Sequence, residues 1–154
     1  MKLTSLRLVV ASLLLAAGTS FAADLSPKAP DKLTPARTLI EQKKWTAAVD
    51  ELKKINDPAS ADWNNLMGYS LRKADAGNAA EAEKFYSEAL RIDPKHRGAL
   101  EYSGELYLIT GNLAKAEERL AALDKACFLP CEEYTDLKKA VARYKAAGNK
   151  YVAQ

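Results

Sequence analysis

The sequence predicts an all-α protein, and three features of the chain support that prediction. Apolar residues recur at helical spacing along most of its 154 residues, and no segment alternates apolar and polar residues as a half-buried strand does. Breaks rich in Gly, Asn, Asp and Pro separate these segments. The stretch "GNAAEAEKFYSEAL" at 77–90 also returns 34 positions later as "GNLAKAEERLAALD". A fixed period of that length predicts a repeated pair of helices.

The helix boundaries follow from caps and breaks. Thr34 can cap a helix, and Pro35 suits its first turn, where the missing N–H is no loss. Ser60 is a second cap, and Asp93-Pro94 ends a helix. The predicted helices run over 34–43, 46–55, 61–74, 79–91, 95–109 and 113–126, with a last one within 131–149.

The 34-residue spacing aligns three helices in one register. It places Gly77 on Gly111 and Asn78 on Asn112. The shared positions are small, large and apolar at i, i+4 and i+7, namely Ala48, Leu52 and Ile55; Ala82, Tyr86 and Ala89; and Ala116, Leu120 and Leu123. One small residue in each helix would let a neighbouring backbone approach, so the repeats should share one core by stacking.

This register resembles the tetratricopeptide repeat. Small residues also occur in the preceding helices, as Ala36, Gly68 and Gly104, and Lys43 replaces the turn glycine of the first repeat. The resemblance implies a right-handed α-solenoid over 34–149, with repeats at about 34–57, 61–94 and 95–126. Gly68 and Gly77 are nine residues apart but Gly104 and Gly111 only seven, so two extra residues are expected near "KADAG".

The last helix is predicted to cap the solenoid over 131–147. Tyr134, Leu137, Val141 and Tyr144 form one apolar stripe, and Gly148-Asn149 provides a stop. A terminal helix with one polar face is what closes a solenoid.

The resemblance also implies a concave groove, lined by the first helix of each repeat, that holds a peptide or helix of another protein. Carried over position by position, the groove residues are Arg37, Ile40, Glu41, Asn65, Tyr69, Arg72, Lys73, Glu101, Glu105, Leu108 and Ile109. The groove would be basic toward its middle and acidic toward its C-terminal end. The basic and asparagine set with which some members bind a terminal carboxylate is missing.

The first residues have the layout of a secretory signal peptide. Lys2 and Arg7 precede an apolar run of about ten residues, too short to span a bilayer, and Ser20-Phe21-Ala22 is a cleavage signal. We expect cleavage after Ala22, with Ala23 the near alternative, and hence a bacterial periplasmic protein. Residues 1–22 would be the signal and 23–33 an extended linker, with no stable membrane insertion after cleavage.

Charge argues against a nucleic-acid partner. The formal net charge is +3, and the signal holds two basic residues and no acid, so the mature chain is near neutral with mixed signs. Such a chain lacks the basic patch of a nucleic-acid binder. The expected partner is another protein.

Cys127 and Cys131 are the only cysteines, and in an oxidising compartment they predict a structural disulfide. Three intervening residues do not match a thioredoxin-type or haem-attachment motif, and one distant histidine is too few further ligands for a metal site.

No residue pattern predicts an enzyme, a metal site or a cofactor. His96 is the sole histidine and is expected to be exposed in the first turn of a helix. The pairs Glu117-Glu118 and Glu132-Glu133 are expected on solvated faces, and Trp45 and Trp63 in the core.

The favoured function is therefore a periplasmic interaction module that binds a segment of an envelope protein. Two alternatives stay open: a thiol-redox or cofactor-assembly factor that uses Cys127 and Cys131, and a structural protein that self-associates into homo-oligomers.

Overall fold

The computed structural model describes residues 31–152, and these residues form seven α-helices and one 3-10 turn. The predicted signal peptide lies outside the described residues, as does the predicted linker up to residue 30. The helices are α1 (Thr34–Glu41), α2 (Trp45–Ile55), α3 (Ala61–Ala74), α4 (Ala79–Ile92), α5 (Arg97–Ile109), α6 (Leu113–Ala126) and α7 (Glu132–Ala146), with the 3-10 turn (Ala76–Asn78) between α3 and α4.

The helices stack in pairs. α1 packs on α2, α3 on α4, and α5 on α6, while α7 packs against both α5 and α6. The first helices of successive pairs also touch, α1 with α3 and α3 with α5, so that α7 continues their row. This all-helical repeat arrangement agrees with the predicted fold class.

Residues at the positions that the repeats share form much of the hydrophobic core. Ala48, Leu52, Ala82, Tyr86 and Ala89 are all completely buried. One core cluster lies in the first two pairs and extends to Leu106 of α5, and a second joins α5 and α6 to α7. Each pair thus buries its apolar stripe partly against itself and partly against its neighbour, as a solenoid requires.

Turns between paired helices differ among the repeats. Gly111 has φ 79°, and Lys43 at the matching place adopts φ 57°, a left-handed conformation that is costly for a side chain with a Cβ. In the middle repeat α3 extends to Ala74, and the 3-10 turn follows. Asn78 donates from Nδ2 to the Leu71 carbonyl at 3.2 Å and fastens this turn. The two extra residues are absorbed there.

α7 is held by its apolar stripe. Leu137, Val141 and Tyr144 are buried in the second core cluster, and Tyr134 packs partly buried beside them. The longest described helix, α7, has 15 residues, and no helix within 31–152 has the length and apolar character to span a bilayer.

The packed domain begins earlier in the chain than predicted. Leu33, assigned to the linker, is only 4% exposed and belongs to the first core cluster. It also occupies the N-cap position, so Thr34 lies inside α1 and makes no side-chain cap. The Asp31 side chain fixes the backbone that leads into α1, because its Oδ1 accepts a hydrogen bond from the Leu33 N–H at 3.0 Å.

Candidate functional site: a groove between α3, α5 and α7

A cavity of about 390 Å³ opens between three helices of the row. α3, α5 and the start of α7 form its walls, and the segment that follows α7 borders it. The lining residues are Tyr69, Arg72, Lys73, Glu101, Tyr102, Glu105, Glu132, Glu133, Asp136 and Tyr151.

Helical spacing explains why these side chains meet. Tyr69 and Arg72 are three residues apart on α3, and Glu101 and Glu105 are four apart on α5, so each pair shares one helix face. α7 packs beside α5 and brings its first turns to the same opening. The cavity therefore exists only where three stacked helices meet.

A row of aromatic rings runs along the groove. The ring centroids of Trp45 and Tyr69 are 5.8 Å apart, edge to face, and those of Tyr69 and Tyr102 are 4.5 Å apart. Arg72 lies 5.6 Å from the Tyr69 centroid, and the ammonium of Lys73 lies 5.8 Å from the rings of both Trp45 and Tyr69. Aromatic surface with cations on it is typical of protein-binding sites.

Arg72 ties α3 to α5. Its side chain is only 6% exposed, and its Nη2 donates to Glu105 Oε2 at 2.8 Å. Burial alone would lower the pKa of Arg72, but the nearby Tyr86 hydroxyl and Glu105 carboxylate together raise it. The guanidinium therefore stays charged. The same burial raises the pKa of Tyr86 despite Arg72, so that phenol stays neutral.

The opposite side of the cavity is acidic. Burial, with further contributions from Glu105, Asp136 and Glu133, raises the pKa of Glu101 to about 8. Burial also raises the pKa of Tyr102, and that of Tyr69 to a lesser extent. At neutral pH Glu101 therefore presents mostly a neutral carboxylic acid, which can donate as well as accept a hydrogen bond.

The other acids of this wall are in part balanced by cations. Arg97 Nε lies 3.6 Å from Glu133 Oε1, and Lys139 Nζ lies 3.1 Å from Asp136 Oδ1. The cavity lining itself holds five carboxyl groups against two cations, Arg72 and Lys73. Its excess of acid lies toward α7.

A second cavity, of about 460 Å³, continues the groove toward α2. Its lining is more apolar, and it shares Tyr69, Arg72, Lys73 and Tyr151 with the first. The full set is Lys43, Trp45, Tyr69, Arg72, Lys73, Ala74, Asp75, Ala76, Ile109 and Tyr151.

The structure brings together five of the sequence-predicted groove residues around the first cavity: Tyr69, Arg72, Lys73, Glu101 and Glu105. Arg37 lies outside it and pairs with Asp62 at 2.9 Å, and Ile40 packs against the first core cluster. Glu41 is exposed at the end of α1, and Ile109 borders the second cavity.

Two predicted groove residues are instead buried between helices. Leu108 is 1% exposed and packs with α7 residues in the second core cluster, because α7 covers this face of α5. Asn65 is 7% exposed and lies against the start of α5, where a Cβ on Gly98 would be 3.0 Å from its Nδ2. Assigning either side chain to an open groove was wrong.

Several groove residues were missed. Trp45 was assigned to the core but is only half-buried and meets Tyr69 edge to face, whereas Trp63 is buried as predicted. Tyr102 and the first turns of α7 were not considered as groove surface. Treating α7 as one more helix of the row, rather than as a cap alone, would have placed Glu132, Glu133 and Asp136 there.

His96 is a structural residue rather than an exposed one. Its Nδ1 accepts from the Ala99 N–H at 3.1 Å and caps α5, and its Nε2 lies 2.8 Å from Asp62 Oδ1. The side chain is 13% exposed. This cap also explains why α5 begins at Arg97 and not at residue 95.

The two cysteines close a short loop between α6 and α7. Their Cα atoms are 5.9 Å apart and their sulfur atoms are paired. The loop projects Phe128, which is fully exposed, and Leu129, which is 71% exposed. This apolar tip lies outside the groove, beside a small cleft bordered by Asp124 and Tyr134.

Comparison with known proteins agrees with this architecture. Residues 73–141 match the tetratricopeptide repeat family model. The type III secretion translocator chaperone SycD of Yersinia enterocolitica has a similar structure, with a TM-score of 0.65 and 19% identity over 76% of this chain and 83% of that chain. SycD in complex with a peptide of the translocator YopD is similar with a TM-score of 0.61 and 19% identity, over 75% and 88% of the two chains.

No curated protein matches this sequence. At 19% identity the likeness to SycD establishes the fold alone. The family match, the 34-residue register and the stacked helix pairs lead to the same conclusion. Residues 73–141 match the tetratricopeptide repeat family, and the helix pairs of the described chain stack as such repeats do.

Proposed function

We propose that this protein is a non-catalytic interaction module that holds an extended segment or helix of another protein in the groove between α3, α5 and α7. The observation that carries the proposal is the aromatic row Trp45, Tyr69 and Tyr102, which lines a groove beside charged side chains of both signs. A groove of this kind offers a partner aromatic surface and directional hydrogen bonds. The hydrophobic core of the protein requires neither of these.

The comparisons support a peptide-binding role in general terms. SycD has been solved with a peptide of its partner YopD, and tetratricopeptide repeats are interaction domains. The mixed charges of the groove favour a partner segment that combines an apolar or aromatic residue with polar ones.

Photo-crosslinking in the native host tests this function. A photoreactive amino acid at position 69 faces the groove, and one at position 84, on the exposed side of α4, is the matched control. We expect position 69 to capture a defined protein that position 84 does not. Identical products from both positions, or none from position 69, would refute the groove as the binding site.

A variant sharpens the same test once the partner is known. Tyr69→Ala removes the central ring of the aromatic row, and we expect it to weaken binding about tenfold or more, as for an aromatic hot spot. Lys84→Ala should leave the affinity unchanged. Unfolding curves of both variants show whether the loss is due to the groove or to the fold.

We also propose that the protein acts in the bacterial periplasm. The sequence features behind this are the signal-like residues 1–22 and the even number of cysteines. Cell fractionation, with N-terminal sequencing of the exported chain, tests it. A cytoplasmic chain that still begins at Met1 would contradict the proposal.

In that compartment we propose that Cys127 and Cys131 form a stable disulfide that sets how α7 docks. The favourable geometry is their Cα separation of 5.9 Å, within the range of disulfides. The double variant Cys127→Ser, Cys131→Ser should lose stability and keep partner binding. If it keeps its stability and loses function, the thiol-redox alternative is the better one.

A second candidate function is self-association through the loop at 127–131. The specific observation is the exposure of Phe128 and Leu129 side by side at its tip. Sedimentation of the mature chain should show a dimer or larger species that Phe128→Ser dissociates. A monomer at all concentrations would exclude this function.

A further inference from the structure

The chain turns back toward the groove after α7. Gly148 has φ 67° and Asn149 φ 62°, two left-handed residues in succession. The Asn149 N–H donates to the Tyr144 carbonyl at 3.0 Å, and the Gly148 N–H donates to the Lys145 carbonyl at 3.1 Å. This arrangement ends the helix and reverses the chain. The segment Lys150–Val152, called the tail segment below, lies on the groove side of α7, where Tyr151 lines both cavities.

Tyr151 lies where the concave cavities meet. It borders the acidic cavity with Glu101 and Tyr102, and the more apolar cavity with Trp45. It also borders a small cleft formed by Leu108 and α7, together with Val152. One side chain of the tail segment thus borders both cavities of the groove and the small cleft beside them.

The tail segment is held loosely. Tyr151 is 43% exposed and Val152 56% exposed, and neither makes a hydrogen bond among residues 31–152. A segment that makes no hydrogen bonds and keeps about half its surface in water can be displaced at small cost.

The chemistry of the tail segment matches the groove. Tyr151 brings a ring to a groove already lined by Tyr69 and Tyr102, and Lys150 precedes it where the lining has more carboxyl groups than cations. An aromatic residue next to a basic one is therefore the kind of ligand that this surface accommodates.

We propose that the tail segment is a displaceable intramolecular occupant of the groove, and that the partner binds through a similar aromatic residue adjoining a basic one. This inference rests on the proposed function of the groove. A tethered occupant competes with the partner at a high effective concentration. The apparent affinity for the partner is therefore the affinity of the open groove multiplied by the fraction of time that the groove is open.

A peptide with the sequence of residues 149–154, "NKYVAQ", carrying a fluorescent label, is the probe. Its binding to the full chain is compared with its binding to Tyr151→Ser. We expect the peptide to bind Tyr151→Ser about threefold to tenfold more tightly, because the competing ring is gone. Tyr151→Phe should behave as the unaltered chain, since it keeps the ring, and Phe128→Ser, outside the groove, should have no effect.

Equal affinity for Tyr151→Ser and the unaltered chain, or no binding to either, would overturn the inference. Sedimentation at the same concentrations adds a further outcome: a dimer that Tyr151→Ser dissociates would mean that the tail segment occupies a second copy, which also overturns it. Crosslinking from position 69 detects the partner itself, whether or not the tail segment competes with it. A captured partner there would leave the proposed function standing when the tail inference fails.

Discussion

The middle and last repeats carry the same pattern on their first helices, yet the structure uses it differently. Relative to Gly68 on α3 and Gly104 on α5, the residues four positions later are Arg72 and Leu108. Both are buried, but Arg72 borders the groove and pairs with Glu105 of α5, whereas Leu108 packs against α7. The next helix of the row thus packs against the position four residues after the small residue. The side chains of that next helix determine whether a polar or an apolar residue fits at this position.

The glycines differ in the same way. A Cβ on Gly68 would come within 2.8 Å of the Tyr86 ring and 3.1 Å of the Ala82 carbonyl oxygen, both in its own repeat. A Cβ on Gly104 would come within 2.5 Å of a Leu137 methyl group on α7. Gly68 lets α4, the second helix of its own pair, approach closely, and Gly104 does the same for α7, the helix that closes the stack.

The largest expected effect comes from Leu108. Leu108→Ala removes a buried side chain between α5 and α7 and should lower the free energy of unfolding by about 2–4 kcal/mol. Ile109→Ala, its half-exposed neighbour at the groove, is the control and should cost less than about 1 kcal/mol. Urea unfolding measures both. If Ile109→Ala lost more stability than Leu108→Ala, Leu108 would lie in the open groove and not between α5 and α7.

The two glycines give the next effect. Gly68→Ala should destabilise the protein by about 1–3 kcal/mol, because the buried Tyr86 ring and a backbone carbonyl have no room to move. Gly104→Ala should cost less, since the methyl groups of Leu137 are the flexible end of a side chain. Thermal unfolding of both variants compares them, and a greater loss for Gly104→Ala would mean that α7 is packed more rigidly than α4.

A pH profile tests the acidic side of the groove. The pKa of Glu101 is raised to about 8 in the folded chain, so the folded state binds a proton that the unfolded state releases between about pH 4 and pH 8. Stability from this group is therefore full below about pH 4 and is lost as the pH rises to about 8.

Glu101→Gln isolates that contribution. Gln cannot ionise, so the variant should gain on the order of 1–2 kcal/mol over the unaltered chain at pH 9 and little at pH 4. Glu118→Gln on the exposed side of α6 is the control. Urea unfolding across this pH range provides the comparison, and parallel profiles for Glu101→Gln and the unaltered chain would contradict the buried carboxylic acid.

The smallest effect concerns the turns of the first and last repeats. Lys43→Gly should raise the free energy of unfolding by about 0.5–1 kcal/mol, because glycine adopts the left-handed conformation without steric cost. Gly111→Lys should lower it by a similar amount. If Lys43→Gly destabilises the chain, the Lys43 side chain makes contacts that outweigh the backbone strain.

Much of the architecture could be read from periodicity. The helix pairs, the buried triad Ala82, Tyr86 and Ala89, and the extra residues of the middle turn all follow from local spacing and one repeat length. The groove could be read only in part. Tyr69 and Glu105 were placed on it by register, but Tyr102 and Trp45 were missed because a single helix does not show which of its faces the next repeat leaves open.

By itself the sequence determined which residues form helices, where those helices break, and which side of each carries the small residues that let neighbours approach. Those properties depend on local backbone preference and helical spacing. Only the tertiary structure decided that α7 covers Leu108, that five carboxyl groups meet around one cavity, and that Tyr151 returns to the groove. These depend on how distant segments share space, because burial and charge belong to neighbours that the chain brings together only when the repeats stack.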